Sequence, residues 1–268
     1  MQALNQPVSW WGWHGWDHPE PLSIVQILER GTMPTDLAAV FWLALERGAS
    51  LIFAAEPPGS GKTTVLTALL TFLPPNTRAY FTRGWGETFD LPPLDGHRAT
   101  YILVNEISDH LPVYSWGPYV VRAFELMAEG YSLGSTMHAD RPQEAIEQLE
   151  GEGVPRSNIG HLTFIVTLNA GYDAGRIVRR VNEVALLAPG AGPEEVQTTV
   201  IAGWKARDAS LTVLESASQR AALAERLGLA EGPLEEELTR RAAFLEDLRR
   251  RGVVEIAAVD RAVAAYRS

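Results

Sequence analysis

Residues 51–66 read Leu-Ile-Phe-Ala-Ala-Glu-Pro-Pro-Gly-Ser-Gly-Lys-Thr-Thr-Val-Leu, an apolar run followed by a short loop and a helical pattern. This order predicts a strand, a loop and a helix, and the loop has the Gly-Lys-Thr ending of a phosphate-binding P-loop. Backbone N–H groups in such a loop point inward and bind anions, and the N-terminus of the following helix adds its dipole. The stretch therefore predicts a phosphate site on a strand–loop–helix unit.

The P-loop pattern gives each residue of this loop a role. Lys62 is expected to contact the β- and γ-phosphates, and the Thr63 hydroxyl is expected to bind Mg²⁺. One residue departs from the pattern, because Glu56 stands where the first glycine belongs and its carboxylate would repel a triphosphate unless it points away. An ordinary strand–turn–helix with a chance match is the alternative. The predicted phosphate-binding residues are Pro58, Gly59, Ser60, Gly61, Lys62, Thr63 and Thr64.

The composition limits the classes of protein that fit. The 268 residues suffice for one large domain or for a core domain with a small appendage. The net charge of −10 argues against nucleic-acid binding, which needs a basic surface. The absence of cysteine excludes disulfides, thiolate zinc sites and cysteine nucleophiles. Neither an apolar run of membrane-spanning length nor a signal-peptide pattern occurs, so we expect a cytoplasmic protein.

The order of predicted elements indicates the fold class. Strands and helices alternate through the first 150 residues, which predicts an α/β fold with a mainly parallel sheet and helices on both faces. Two further strands, 161–168 and 176–187, are predicted to form a β-hairpin joined by the seven residues 169–175. From Ser216 onward the pattern is helical and amphipathic.

We therefore expect three regions. Residues 1–20 would form an N-terminal arm with four tryptophans, residues 21–215 the P-loop core, and residues 216–268 a helical subdomain. The arm would either pack its rings onto the core or dock a partner, since tryptophan is frequent at interface hot spots.

Two other residues follow apolar strands and are candidates for chemistry. Glu106 comes just after the apolar run 100–104, where a P-loop protein places an acidic residue close to Mg²⁺. His138 follows the predicted strand 132–136 and is expected at the same edge of the sheet, where it could hydrogen-bond the γ-phosphate. A solvated glutamate and a structural histidine are the alternatives.

Three motifs together resemble the motor ATPases of type II and type IV secretion, a superfamily that includes the ATPases of type IV pili and of the archaeal flagellum. They are Gly-Ser-Gly-Lys-Thr-Thr at 59–64, Asn-Glu-Ile-Ser-Asp at 105–109 and Gly-Ser-Thr-Met-His-Ala-Asp at 134–140. In that superfamily they correspond to the Walker A, Walker B and His boxes. The resemblance covers roughly residues 21–268 and implies a RecA-like core, ATP and Mg²⁺ as ligands, and hexamers with ATP between subunits.

The resemblance also implies residue roles. Glu106 would orient the attacking water and help to hold Mg²⁺ together with Thr63, and His138 would sense the γ-phosphate. Glu87 matches the later glutamate of the superfamily's acidic box and would assist catalysis.

Several positions depart from the superfamily pattern. Arg83 and Gly84 stand where the acidic box has a Glu-Asp pair, and Ser108 replaces the Walker B arginine. Only about 20 residues precede the core, so we expect the usual N-terminal domain and its arginines to be missing. The hairpin offers substitutes for that positive charge, namely Arg176, Arg179 and Arg180.

The sequence thus predicts an ATP-binding and ATP-hydrolysing motor domain whose turnover is weakened by these departures. The expected partners are further copies of the chain and a membrane platform protein of a secretion or pilus system, which would attach it to the inner face of the membrane. The alternative is a nucleotide-binding module with little catalysis that regulates a full-length ATPase. A kinase is disfavoured because no acceptor site or lid arginines are evident, and a DNA-dependent ATPase is disfavoured by the negative charge.

Overall fold

The computed structural model describes residues 1–7, 21–56, 59–96, 98–173, 175–192, 194–205 and 210–267. Its strands are β1 (Gln2–Ala3), β2 (Leu51–Ala54), β3 (Arg78–Phe81), β4 (Thr100–Leu103), β5 (Ser132–Met137), β6 (Phe164–Asp173), β7 (Arg176–Pro189), β8 (Val196–Lys205) and β9 (Ser210–Val213). Its helices are α1 (Ile24–Glu29), α2 (Thr35–Glu46), α3 (Lys62–Leu69), α4 (Pro118–Glu129), α5 (Pro142–Gly151), α6 (Arg156–Ile159), α7 (Ala217–Arg226), α8 (Glu231–Arg250) and α9 (Ile256–Tyr266). A short 3₁₀ turn, Leu70–Phe72, extends α3.

The described strands form one nine-stranded sheet in the order β1-β3-β4-β5-β2-β6-β7-β8-β9. The pairs from β1 through β6 are parallel, and the pairs from β6 through β9 are antiparallel. The predicted α/β class with a mainly parallel sheet is confirmed. Because β5 lies between β2 and β4, the carboxyl ends of these three strands meet at one edge.

Helices cover both faces of the sheet. One apolar layer joins the sheet to α1, α2, α3 and the C-terminal helices α7 to α9. The other layer joins it to α4, α5 and α6. Along β2 the side chains alternate, with Phe53 in the first layer and Ile52 and Ala54 in the second. Burial on both faces explains why β2 is continuously apolar.

The hairpin is longer than predicted, and the predicted seven-residue connection is wrong. Strand β6 runs on to Asp173, and its ladder with β7 includes the pairs Gly171–Val178 and Tyr172–Ile177. Gly171 therefore lies inside the ladder, whereas Gly175, with a φ of +77°, lies at the turn. Since β2 ends opposite Thr167, the hairpin extends past the carboxyl end of the parallel sheet.

A polar network around Glu46 fixes the C-terminal helices to α2. The Glu46 carboxylate accepts hydrogen bonds from Trp42 Nε1 at 2.7 Å, from Arg267 Nε at 2.5 Å and from Arg241. Burial acts to raise the pKa of Glu46, but the hydrogen bonds from the two arginines outweigh it and the pKa is lowered. The Arg241 guanidinium also lies 5.4 Å from the centroid of the Trp42 ring.

Most of the predicted N-terminal arm lies outside the described residues. Residues 8–20, which contain the tryptophans of the predicted arm, lie outside the described residues, and β1 pairs with β3 just before them. In the part of the chain that is described, no helix is both long enough and apolar enough to span a bilayer.

Candidate functional site

The P-loop joins β2 to α3 at the carboxyl edge of the sheet. Gly59 and Gly61 have φ angles of +73° and +93°, in the left-handed region that favours glycine. Gly61 directly precedes α3, and a Cβ atom on it would lie 3.1 Å from Cδ of Arg179. The loop is therefore shaped by its glycines, as the motif predicts. Pro57 and the predicted phosphate-binding Pro58 lie outside the described residues.

Lys62 is a buried cation at the start of α3. Lys62 is only 7% exposed, and its Nζ donates a hydrogen bond to the carbonyl oxygen of Ala55 at 2.8 Å. Burial lowers the pKa of Lys62, although the carboxylates of Glu106 and Glu56 act to raise it. An anion bound beside Lys62 would offset the cost of burying its charge.

The hydroxyl residues of the loop lie beside Lys62. Ser60 is 1% exposed, and its Oγ has no hydrogen-bond partner among the described residues. A buried hydroxyl without a partner costs about 1–3 kcal/mol, so a ligand oxygen at this point would stabilise the loop. Thr63 and Thr64 are half-buried in the first turn of α3.

Glu106 and His138, predicted at the same edge, are brought together. Nε2 of His138 lies 3.3 Å from Oε1 of Glu106. Nδ1 of His138 lies 3.0 Å from the carbonyl oxygen of Glu56, and because a carbonyl accepts, Nδ1 is the donor. His138 thus connects the strand end that carries Glu106 to the start of the P-loop.

Glu56, the residue that replaces the first glycine of the motif, is held by its backbone. Its N–H group donates to Oδ1 of Asp140 at 3.4 Å, and its carbonyl accepts from His138. Its side chain is exposed. The segment after β5 therefore fixes the position of Glu56, while solvent reaches its carboxylate.

Glu87 is buried and is bound within the loop that follows β3. Its carboxylate accepts from Tyr80 Oη at 2.5 Å, from Arg83 N at 2.6 Å and from Phe89 N at 2.7 Å. Burial, together with the bond to Glu87, raises the pKa of Tyr80 to about 12. These contacts give Glu87 a role in shaping this loop, and its predicted catalytic role stays a prediction.

One of the three hairpin arginines reaches the P-loop. Arg179 Nε donates to the carbonyl oxygen of Gly59 at 2.5 Å. Arg180, the next residue along the strand, lies on the opposite face of the hairpin, and its guanidinium is 5.0 Å from the centroid of the Trp204 ring. Arg176 pairs with Asp173 at the far end of the ladder. Of the three arginines that the sequence proposes, Arg179 is the one that contacts the P-loop backbone at Gly59.

The arrangement suits a polyphosphate. Lys62 and Arg179 supply positive charge, the N-terminus of α3 supplies unpaired N–H groups, and Glu106 lies nearby. Within the described ranges, no group of three or more His, Asp or Glu side chains is placed to hold a metal ion.

The sequence matches no model of a known protein family. It is similar to two uncharacterized proteins of Methanocaldococcus jannaschii. It is 29% identical to MJ0900 over 188 residues, which are 60% of this chain and 32% of that protein. It is 23% identical to MJ1287 over 251 residues, which are 83% of this chain and 90% of that protein. The chain thus spans about a third of the length of the first relative and most of the second.

Solved structures of ATPases also match, with limited overlap. The VirB11 ATPase of the Brucella suis type IV secretion system matches 61% of this chain and 55% of its own, with a TM-score of 0.42 and 19% identity. The Legionella pneumophila ATPase DotB matches 63% and 49%, with a TM-score of 0.38 and 12% identity. The Yersinia pseudotuberculosis ATPase DotB matches 91% and 63%, with a TM-score of 0.42 and 13% identity.

Proposed function

We propose that this protein binds ATP and Mg²⁺ at the P-loop and hydrolyses the nucleotide, as the motor domain of a secretion or type IV pilus assembly ATPase. One observation carries the proposal: Lys62, Arg179 and Glu106 converge on the N-terminus of α3. The first two attract phosphate, and the third is an acceptor for a proton. Such a constellation fits phosphoryl transfer, in which positioning and charge stabilisation dominate.

In this proposal the loop holds the phosphates in the ground state. Backbone N–H groups of residues 59–64 donate to phosphate oxygens, and the buried Ser60 hydroxyl gains the partner that it lacks. Lys62 exchanges its bond to the Ala55 carbonyl for the β- and γ-phosphates. Thr63 and Glu106 would hold the Mg²⁺, which would supply positive charge that neutralises the phosphates.

Hydrolysis would then use the edge residues. Glu106 orients a water and accepts one of its protons as the water oxygen bonds to the γ-phosphorus. The bond between the γ-phosphorus and the oxygen that bridges the β- and γ-phosphates then breaks, and ADP leaves. In its doubly protonated form, with Nδ1–H on the Glu56 carbonyl, His138 donates a hydrogen bond from Nε2 to a γ-phosphate oxygen in place of its contact with Glu106. Arg179, on the hairpin side of the loop, stabilises the negative charge that develops on the leaving phosphate oxygens. Glu87 assists hydrolysis indirectly, because its hydrogen bonds hold the loop after β3 in place.

The proposal extends to assembly. We infer a homo-oligomer, a hexamer as in the superfamily that the motifs resemble, with nucleotide between subunits. Its partners would be a membrane platform protein of a secretion or pilus system or a full-length ATPase. The three-region division at residues 20 and 215 is part of the same proposal.

A second candidate function is a nucleotide-binding regulatory module with little turnover. The contact between His138 and Glu106 favours it, because a carboxylate held by an imidazole is less available to orient water. The replacement of the acidic pair by Arg83 and Gly84 acts in the same direction.

The test measures ATP binding and phosphate release on the purified protein over a range of protein concentrations. Lys62→Ala should abolish both, and Lys205→Ala, which removes an exposed lysine paired with Glu215, should change neither. A rate per chain that rises with concentration supports a site completed by a neighbour. Binding without phosphate release at any concentration supports the regulatory module, and no ATP binding rejects both functions.

A further inference from the structure

An apolar pair is exposed near the end of the β6–β7 hairpin. Tyr172 is 81% exposed and Ile177 is 53% exposed, and the two lie directly opposite each other in the ladder. Opposite residues in an antiparallel pair point to the same face, so these side chains form one surface. An exposed aromatic–aliphatic surface on a projecting hairpin is a candidate for binding a flat apolar group.

The ladder places this surface on the P-loop side of the hairpin. Arg179 pairs with Ala170, and this pair lies two residues from the Tyr172–Ile177 pair on each strand. Side chains two residues apart share a face, and the step along the strand is about 7 Å. The register shift in the ladder lies between Thr167 and Leu168, before this region. Tyr172 and Ile177 therefore share the face from which Arg179 reaches Gly59.

We propose that Tyr172 and Ile177 form the surface on which the base of the nucleotide stacks. The inference rests on the proposed function, because it takes the phosphates to lie between Lys62 and Arg179. A nucleoside triphosphate whose phosphates lie there extends its ribose and base beyond Arg179 along the hairpin. Stacking on aromatic side chains is a general mode of base recognition, since every base has an apolar face.

The same surface predicts which bases bind. From Leu168 to Tyr172 and from Ile177 to Val181, the side chains on this face are apolar except for Arg179 and the Tyr172 hydroxyl. Few groups are thus available to read the edge of a base, and stacking does not depend on that edge. We expect ATP and GTP to bind with similar affinity, and inorganic triphosphate to bind more weakly than either.

The experiment compares three ligands, ATP, GTP and inorganic triphosphate, each with Mg²⁺, on the wild type and three variants. Tyr172→Ala should weaken ATP and GTP binding about tenfold and leave triphosphate binding unchanged. Tyr172→Phe, which keeps the ring, should stay within about twofold of the wild type. Val200→Ala removes an exposed apolar side chain from β8 and serves as the matched control with no expected effect.

The outcomes separate this inference from the proposed function. Unchanged ATP affinity in Tyr172→Ala, or an equal loss for ATP and triphosphate, overturns the base surface while leaving the P-loop site intact. A wild type that binds triphosphate but not ATP also overturns the base surface and leaves the P-loop site intact. A wild type that binds none of the three ligands overturns both. If Tyr172→Ala changes sedimentation but not ligand discrimination, the pair is an interface between copies and the inference is wrong.

Discussion

Arg179 of the hairpin donates a hydrogen bond from Nε to the carbonyl oxygen of Gly59 in the P-loop, at 2.5 Å. This bond joins the antiparallel part of the sheet to the phosphate site. To make this bond, the Arg179 side chain passes close to Gly61, where a Cβ atom would lie 3.1 Å from Cδ of Arg179. Any displacement of the hairpin would therefore change the charge beside the P-loop.

Arg179→Ala should weaken triphosphate binding about 10- to 100-fold, since a hydrogen bond to a charged group contributes about 1.5–3 kcal/mol. The measurement is calorimetric titration with ATP and with inorganic triphosphate. Arg176→Ala is the control, because it removes the same charge from the same hairpin at the end farthest from the P-loop. Equal effects of the two variants would mean that net charge alone, and not the contact with Gly59, supports binding.

Two glycine substitutions should separate backbone strain from side-chain crowding. Gly59→Ala places a methyl group in open space, and its cost is the strain of a positive φ, about 1 kcal/mol. Gly61→Ala carries the same strain and also pushes against Arg179. We expect Gly61→Ala to lose more thermal stability and more triphosphate affinity. If Gly59→Ala is the more damaging of the two in both measurements, the Arg179 contact does not limit the loop.

Local patterns predicted much of the fold, because they act within one element. The apolar run before Pro57 and the glycines after it predicted β2 and the start of α3. The predicted connection over residues 169–175 is wrong because residues 169–173, Gly171 among them, pair with β7 inside the ladder. The position of β5 between β2 and β4 depends on pairing between distant segments, and local propensity carries no information about it.

The candidate site likewise combines residues that local motifs predict with contacts that depend on the folded structure. Lys62, Glu106 and His138 follow strand ends in recognisable motifs, so a parallel sheet brings them to one edge. The choice of Arg179 over Arg180 depends on which face each side chain takes, and the register shift between Thr167 and Leu168 sets that. The hydrogen bonds from Tyr80 and from two backbone N–H groups to the Glu87 carboxylate likewise form only in the folded loop, so the sequence could not predict them.

Glu46→Gln should lower the free energy of unfolding by about 2 kcal/mol at neutral pH, because it removes the carboxylate that Arg267 and Arg241 share and leaves Arg241 with Glu237 alone. The pKa of Glu46 is lowered in the folded state, so its contribution is present above the ordinary glutamate pKa, about 4.3. It is lost as the pH falls through the folded-state pKa. Denaturant titrations from pH 7 to pH 3 should show the difference between wild type and variant shrinking.

The control for Glu46 is the exposed pair between Arg122 and Glu125 on α4. Glu125→Gln should cost less than about 1 kcal/mol at any pH in that range, as expected for surface ion pairs. A similar small cost for Glu46→Gln would mean that the aromatic packing of Trp42, and not the ion pairs, fixes the C-terminal helices.

Glu106→Gln should retain ATP binding and lower the rate of phosphate release about 10²- to 10⁴-fold, because an amide cannot accept the proton of the attacking water. Single-turnover phosphate release at saturating ATP measures this step apart from binding. Asp109→Asn removes an exposed carboxylate three residues further along the same motif and should leave the rate unchanged. Unaltered turnover in Glu106→Gln would remove this carboxylate from the chemistry, and the contact with His138 would then serve only to position the start of the P-loop.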